Sequence, residues 1–171
     1  TQDDGDFTWE KFEAAYNGEL GNDLGNLVQR VAKMVQSYQA GVIGDAPQAE
    51  HDMGPYRQAM ESFMFDQAMD EIWRIIRTLN QYIERVQPWQ VAKNRDKDPE
   101  AEAHLGEILA HACGALLQVS DMLRPFMPQT AEKIHEMFAS GVVPSELTPL
   151  FPRKYLHTPD PRAPKVEAQG K

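Results

Sequence analysis

Asn26 and Arg30 stand four residues apart in the stretch NGELGNDLGNLVQR, residues 17–30. On a helix that spacing puts both side chains on one face. Asparagine offers a donor and an acceptor on one amide, and arginine offers a planar fork of donors. Together they suit the edges of unpaired nucleotide bases. A second stretch, QPWQVAK, spans residues 87–93. Pro88 interrupts a helical pattern there and is expected to leave Trp89 on a loop. A loop indole can serve as a stacking platform, worth ~1–3 kcal/mol per base. Lys93, Arg95 and Lys97 follow as cations suited to backbone phosphate, partly offset by Asp96 and Asp98. Each feature also has an ordinary alternative: a solvated helix exterior for the Asn/Arg row, and a cover over the end of a helix bundle for Trp89.

These residues need a scaffold, and the apolar spacing is helical almost throughout. Thr8 is a fair N-cap, with Phe7 and Phe12 placed as a hydrophobic staple. The next helix carries Leu20, Leu24, Leu27, Val28, Val31, Met34, Val35 and Tyr38, with Gly41 as its stop. Residues 56–86 read as helical with a break near MFDQ, where Asp66 is placed to cap the second part. Ile72, Trp73, Ile76, Leu79, Ile83 and Val86 give that part a buried face. Leu105, Ile108, Leu109, Ala112, Leu116, Val119 and Leu123 mark another long helix, and a last one runs from about Gln129 to Phe138. The predicted architecture is all-α, an antiparallel bundle of about five helices over residues 1–150, with an extended or disordered tail over residues 151–171.

On a helical wheel the apolar stripe of the second helix takes one side, and Asn22, Asn26, Arg30 and Lys33 gather opposite. Gly18, Gly21 and Gly25 share the shoulder between them, although each costs an α-helix about 1 kcal/mol relative to alanine. A shoulder without side chains admits a neighbouring helix closely, or clears room beside the polar row for a flat ligand.

Composition bounds what the chain does. With 171 residues, 42% hydrophobic and 25% charged, it suits a single globular domain. A net charge of −9 argues against a generic, basic nucleic-acid binder. From Asn26 to Ala40, however, the only charges are Arg30 and Lys33, so an RNA partner would be met locally. Cys113 is the lone cysteine, set in the apolar run LAHACGALL, where a buried, inert thiol and a reducing, cytoplasmic setting are expected. No apolar run approaches a membrane span, so no membrane partner is expected. The acidic start, TQDDGDF, is unlike a signal peptide and lacks an initiator methionine, which suggests part of a longer or processed chain.

Taken in order, these segments resemble the C-terminal anticodon-binding domain of class I aminoacyl-tRNA synthetases, the methionine enzymes most closely. DGDFTWEKFEAAYNGELGNDLGNLVQRV, FDQAMDEIWRIIRTLNQYIERVQPWQVAK and LRPFMPQTAEKIHEMF carry the likeness, over about residues 4–140. NDLGNLVQR followed by YI and PWQVAK points to the methionine enzyme, whereas PFMPQTAEKI is shared with the leucine, isoleucine and valine enzymes. The resemblance implies that Asn26 and Arg30 read anticodon bases, that Trp89 stacks on the first of them, and that Pro88 sets its position. Asn22, Lys33 and Lys93 are supporting candidates. The implied partners are the anticodon stem-loop of methionine tRNA, with the sequence CAU, and a catalytic domain. The HIGH-like and KMSKS-like motifs that serve ATP and methionine are absent from this sequence, so no cofactor is expected in it and the chain is expected to be inactive alone. Three stacked bases span on the order of 10 Å, which would set Trp89 about that far from Asn26 and Arg30, at the same end of the bundle.

Two rivals are weighed. Glu132 and His135 have the Glu-x-x-His spacing of carboxylate-bridged metal bundles, and Glu100/His104 and Glu107/His111 are further pairs. A di-iron centre needs two such motifs, and one is present, so no metal is expected. The second rival is a helical interaction module that docks a protein partner without RNA.

Overall fold

The structure, a computed structural model, describes residues 16–44 and 51–152. The expected first helix capped by Thr8, and the chain beyond Pro152, lie outside the described residues. Six α-helices follow one wider stretch, and the only strand-like feature among the described residues is an isolated antiparallel bridge between Val42 and Val142. The helices are α1 (Asn26–Gln39), α2 (Gly54–Glu61), α3 (Phe65–Val86), α4 (Pro88–Lys93), α5 (Ala101–Leu123) and α6 (Pro128–Phe138).

The glycine-bearing stretch departs from the predicted continuous α-helix. Tyr16–Gly25 is wound as a π-helix, and the α turn begins only at Asn26. Glycine is a poor α-former, so three of them in eight residues weaken the preference for the tighter turn. A Cβ on Gly25 would stand 3.2 Å from the carbonyl of Leu20, five residues earlier. The same Cβ would stand 3.2 Å from the ring of Phe151, whereas one on Gly18 would meet nothing within 4 Å. Close packing thus accounts for Gly25 and not for Gly18.

Helix α5 is the axis of the bundle. It buries residues on every side, among them Leu105, Leu109, Ala112, Cys113, Leu116, Val119 and Leu123, the pattern of a helix surrounded by partners. Burial pushes the Cys113 thiol up to about 12, the inert state expected of it. Helices α1, α3, α4 and α6 pack around α5, and α2 packs on α3. Leu27, Val28, Val31 and Val35 of α1 meet Ile72, Ile75, Ile76, Leu79 and Ile83 of α3 in one continuous core. Burial of each such side chain contributes roughly 1.5–3 kcal/mol, so the apolar stripes hold the faces that carry the polar residues.

Helix ends explain three local differences. Helix α1 stops at Gln39 because Ala40 (φ 52°) and Gly41 (φ 84°) are both left-handed, so the glycine stop is shared. Helix α3 begins after Met64, and Asp66 sits inside its first turn rather than capping it; there the carboxylate faces the positive helix end. The end of α3 is set by Gln87 (φ 48°), which leaves Pro88 to start α4 at the first helical position. Trp89 is therefore helical rather than on a loop.

Candidate nucleic-acid interface

Asn26, Arg30 and Lys33 line one groove of about 440 Å³ that runs along α1, with Gln29, Met34, Ser37 and Tyr38 completing its wall. Every lining residue comes from a single helix at spacings of three and four, because the opposite stripe of α1 is committed to the core. Asn26 and Lys33 are exposed and Arg30 is half-buried. Gln29 and Ser37 were not singled out from sequence, although the periodicity that groups Asn26 with Arg30 reaches them. Met34 and Tyr38, expected on the apolar stripe, sit at its edge and also line the groove, Met34 buried and Tyr38 half-buried.

Arg30 is held by α3. Its Nη1 donates to Glu84 Oε1 at 2.5 Å and its Nη2 donates to Asn80 Oδ1 at 3.0 Å. Asn80 and Glu84 are also four apart, so a polar pair on α3 answers the polar pair on α1. Neither was singled out from sequence, since a contact across 50 or 54 residues leaves no local signal. The Arg30 and Glu84 side chains are 36% and 61% exposed, and such a pair adds only ~0–1 kcal/mol to stability. A bidentate arginine–base contact discriminates by ~1–3 kcal/mol. The ion pair therefore fixes the plane of the guanidinium without competing strongly with an incoming base edge. Three of the five N–H donors of the guanidinium remain beyond these two bonds.

Pro88 is buried and Trp89 is half-buried against the core; neither lines the groove, and nor do Asn22 or Lys93. Trp89 follows five residues after Glu84, so the chain path keeps its backbone within roughly 18 Å of the residue that holds Arg30. Asn22 is exposed on the π-helical stretch, outside the α repeat that was expected to align it with Asn26. Lys93 is exposed in the last turn of α4.

Arg95 is not the free phosphate contact that its position in the sequence suggests. Its Nη2 donates to the backbone carbonyl of Tyr38, its guanidinium lies 5.8 Å from the centre of the Tyr38 ring, and its Nε is 3.1 Å from Glu102 Oε2. A cation satisfying one of the last carbonyls of α1 stabilises that helix end. Asp98 is likewise structural, accepting from the backbone N–H of Glu100 at 3.0 Å. The Glu132–His135 pair places His135 half-buried, with Ile134 and Phe138 in the core. Among the described residues no three His, Cys, Asp or Glu side chains gather into a metal-holding group.

The model of one protein family, the anticodon-binding domain of tRNA ligase, matches residues 54–165. That span includes Trp89 and α3, and begins after α1. Among curated relatives, the methionine–tRNA ligase of Streptomyces coelicolor is 39% identical over 83% of this chain and 28% of its own length. That of Bacillus subtilis is 34% identical over 78% of this chain and 21% of its own. The chain spans about a quarter of the length of the curated relatives it matches. Among solved structures, the methionyl-tRNA synthetase of Mycobacterium tuberculosis in complex with methionyl-adenylate superposes with a TM-score of 0.70 at 24% identity, over 86% of this chain and 34% of that one. Its apo form gives a TM-score of 0.69 at 23% identity, a likeness of fold.

Proposed function

The chain belongs to the family of anticodon-binding domains of tRNA ligases, and from that premise we propose that it recognises the CAU anticodon of methionine tRNA as part of a methionine–tRNA ligase. The observation that carries this is the groove along α1, where Asn26 and Arg30 stand side by side with the Arg30 fork already oriented by Asn80 and Glu84. Asn26 presents both halves of a base-pairing edge, and Arg30 presents parallel donors to a base acceptor. Trp89, carried just beyond the helix that holds Arg30, supplies a face on which the first anticodon base stacks, with Pro88 fixing the start of its helix. Lys33 meets backbone phosphate beside the groove, and Asn22 and Lys93 assist from its surroundings.

Selection of tRNA is the part of the work that these residues perform. The sequence carries neither motif for ATP and methionine, so adenylate formation belongs to the catalytic body of the ligase, the second partner of this domain. No membrane partner is invoked: among the described residues no helix is long and apolar enough to cross a membrane. The setting is the cytoplasm. With a net charge of −9 and few phosphate contacts, the isolated chain binds weakly, and its affinity depends only modestly on salt, because the salt slope scales with the number of phosphates contacted. The test is a titration of stem-loops bearing CAU and scrambled anticodons at one stated salt concentration. Preference for CAU is expected; equal binding of both, or of neither, overturns the proposal.

A further inference from the structure

A second cavity, of about 530 Å³, lies on another flank of α3, lined by His51, Thr78, Leu79, Gln81, Tyr82, Arg85 and His111. On the α3 wheel, Thr78, Gln81, Tyr82 and Arg85 point well away from Asn80 and Glu84, which face α1. The proposed anticodon function makes no use of this cavity. Its wall is built. The backbone N–H of His51 donates to Gln118 Oε1 at 3.0 Å, and Gln118 Nε2 returns a bond to the His51 carbonyl at 2.8 Å. The His51 and His111 rings stand 6.2 Å apart, the Tyr82 ring lies 4.6 Å from His111, and the Arg85 guanidinium sits 5.8 Å from Tyr82. Flat groups thus follow one another from Arg85 to His51.

The wall is rich in donors and poor in acceptors. His51 Nε2 is buried with no hydrogen-bond partner. Arg85 has no carboxylate partner among the described residues, whereas the nearby Arg74 is paired with Glu71. The charged and titratable groups around the two imidazoles, among the described residues, are Arg74, Tyr82 and Arg85 from α3, His104 and Glu107 from α5, and Asp52 beside His51. Glu107 stands 4.0 Å from His104 and its charge also reaches Tyr82, while the Asp52 carboxylate accepts from the backbone N–H of Gly54. No carboxylate lines the cavity. That balance disfavours a metal cation, for which two imidazoles beside arginine are a poor site, and favours an oxyanion.

We propose that the cavity between α3 and α5 is a phosphate-binding site in which Arg85 supplies the fixed charge, His51 Nε2 and His111 supply donors, and Tyr82 orients both flanks. Burial, together with His111 and Arg74, lowers the proton affinity of His51, and burial lowers that of His111. Both rings are accordingly neutral at pH 7 when the cavity is unoccupied, and an anion draws a proton onto them as it binds. The same chemistry is offered by free phosphate and by an RNA backbone phosphate.

The full chain is titrated with inorganic phosphate against sodium chloride of equal ionic strength, following the imidazole resonances assigned through His51→Gln and His111→Gln. Shifts of both are expected with phosphate alone. Arg85→Gln, an exposed substitution that leaves the core untouched, is expected to weaken binding by roughly tenfold or more, the loss of one charge-assisted contact. Sulfate, whose charge is constant over the range, is expected to bind roughly tenfold or more tightly at pH 5.5 than at pH 7.5. If an RNA stem-loop of any anticodon reproduces the shifts at its own lower concentration, the source is backbone phosphate; if only the free ion does, it is a small molecule. Resonances that move equally in chloride, or an Arg85→Gln chain that binds phosphate as the parent does, overturn the proposal, and neither result bears on the α1 groove.

Discussion

Arg30→Lys is the sharpest perturbation of the α1 groove, because it keeps the charge and removes the fork. In the parent, two separate nitrogens of Arg30 bond Glu84 and Asn80, and the guanidinium plane is fixed by that pair of bonds. A lysine ammonium can reach one of these partners but cannot present parallel donors to a base edge. Loss of a bidentate base contact costs ~1–3 kcal/mol, or roughly 5- to 150-fold in affinity for a CAU stem-loop. Stability should barely respond. The Arg30–Glu84 pair is 36% and 61% exposed, so its removal costs at most ~1 kcal/mol, a shift of about 2–4 °C in melting temperature for a chain of this size. The assay is a stem-loop titration at constant salt, paired with thermal unfolding of the same samples. Weakened binding with a nearly unchanged melting temperature is the expected combination. An Arg30→Lys chain that binds CAU as tightly as the parent would refute the assignment of base reading to the guanidinium. A loss equal for CAU and scrambled loops would reduce Arg30 to a phosphate contact.

Trp89→Phe is expected to keep most stem-loop affinity, and Trp89→Ala to lose roughly 5- to 150-fold, the worth of one stacked base; equal affinities for both variants would remove Trp89 from the interface. In phosphate-free buffer the chain is expected to lose stability as pH falls below 6.5, the ordinary histidine value, because His51 and His111 are held neutral in the folded protein and take up protons once it unfolds. Denaturant unfolding at pH 7.5 and 5.5 checks this, with His111→Gln expected to lose less than the parent; an equal loss would show that the folded state does not resist protonation there. Gly25→Ala is expected to destabilise by about 1 kcal/mol or more, since its Cβ meets backbone at 3.2 Å. Gly18→Ala is expected to be neutral or to stabilise by up to ~1 kcal/mol, and chemical denaturation of the two variants decides whether the glycines share one purpose.

How much of this was legible in the sequence depends on how local each cause is. The helices were legible because their apolar residues recur on one face: Ile72, Ile76, Leu79 and Ile83 read as a stripe and are buried as one. The groove was legible in part for the same reason, since all of its lining lies on α1. Trp89 was misplaced because one residue type carries two meanings. Proline ends a helix from the inside but starts one at its first position, and the left-handed Gln87 that separates α3 from α4 has no strong sequence signature. The π-helical stretch was missed because Leu20 and Leu24 fit an α stripe, and only the three glycines hinted at a weaker α preference.

Arg95 and Arg30 show the remaining limit from opposite sides. Each is a cation in a polar segment, and nothing local separates them. Arg95 is spent on the end of α1 and on Glu102. Arg30 is held by α3 with donors to spare, half-buried on the wall of the α1 groove. Which cation is structural and which keeps free donors is settled largely by partners fifty or more positions away, Asn80 and Glu84 for Arg30 and Tyr38 for Arg95. The type and spacing of side chains can therefore nominate a candidate site, but only the fold decides which of the nominated groups keeps donors for a ligand.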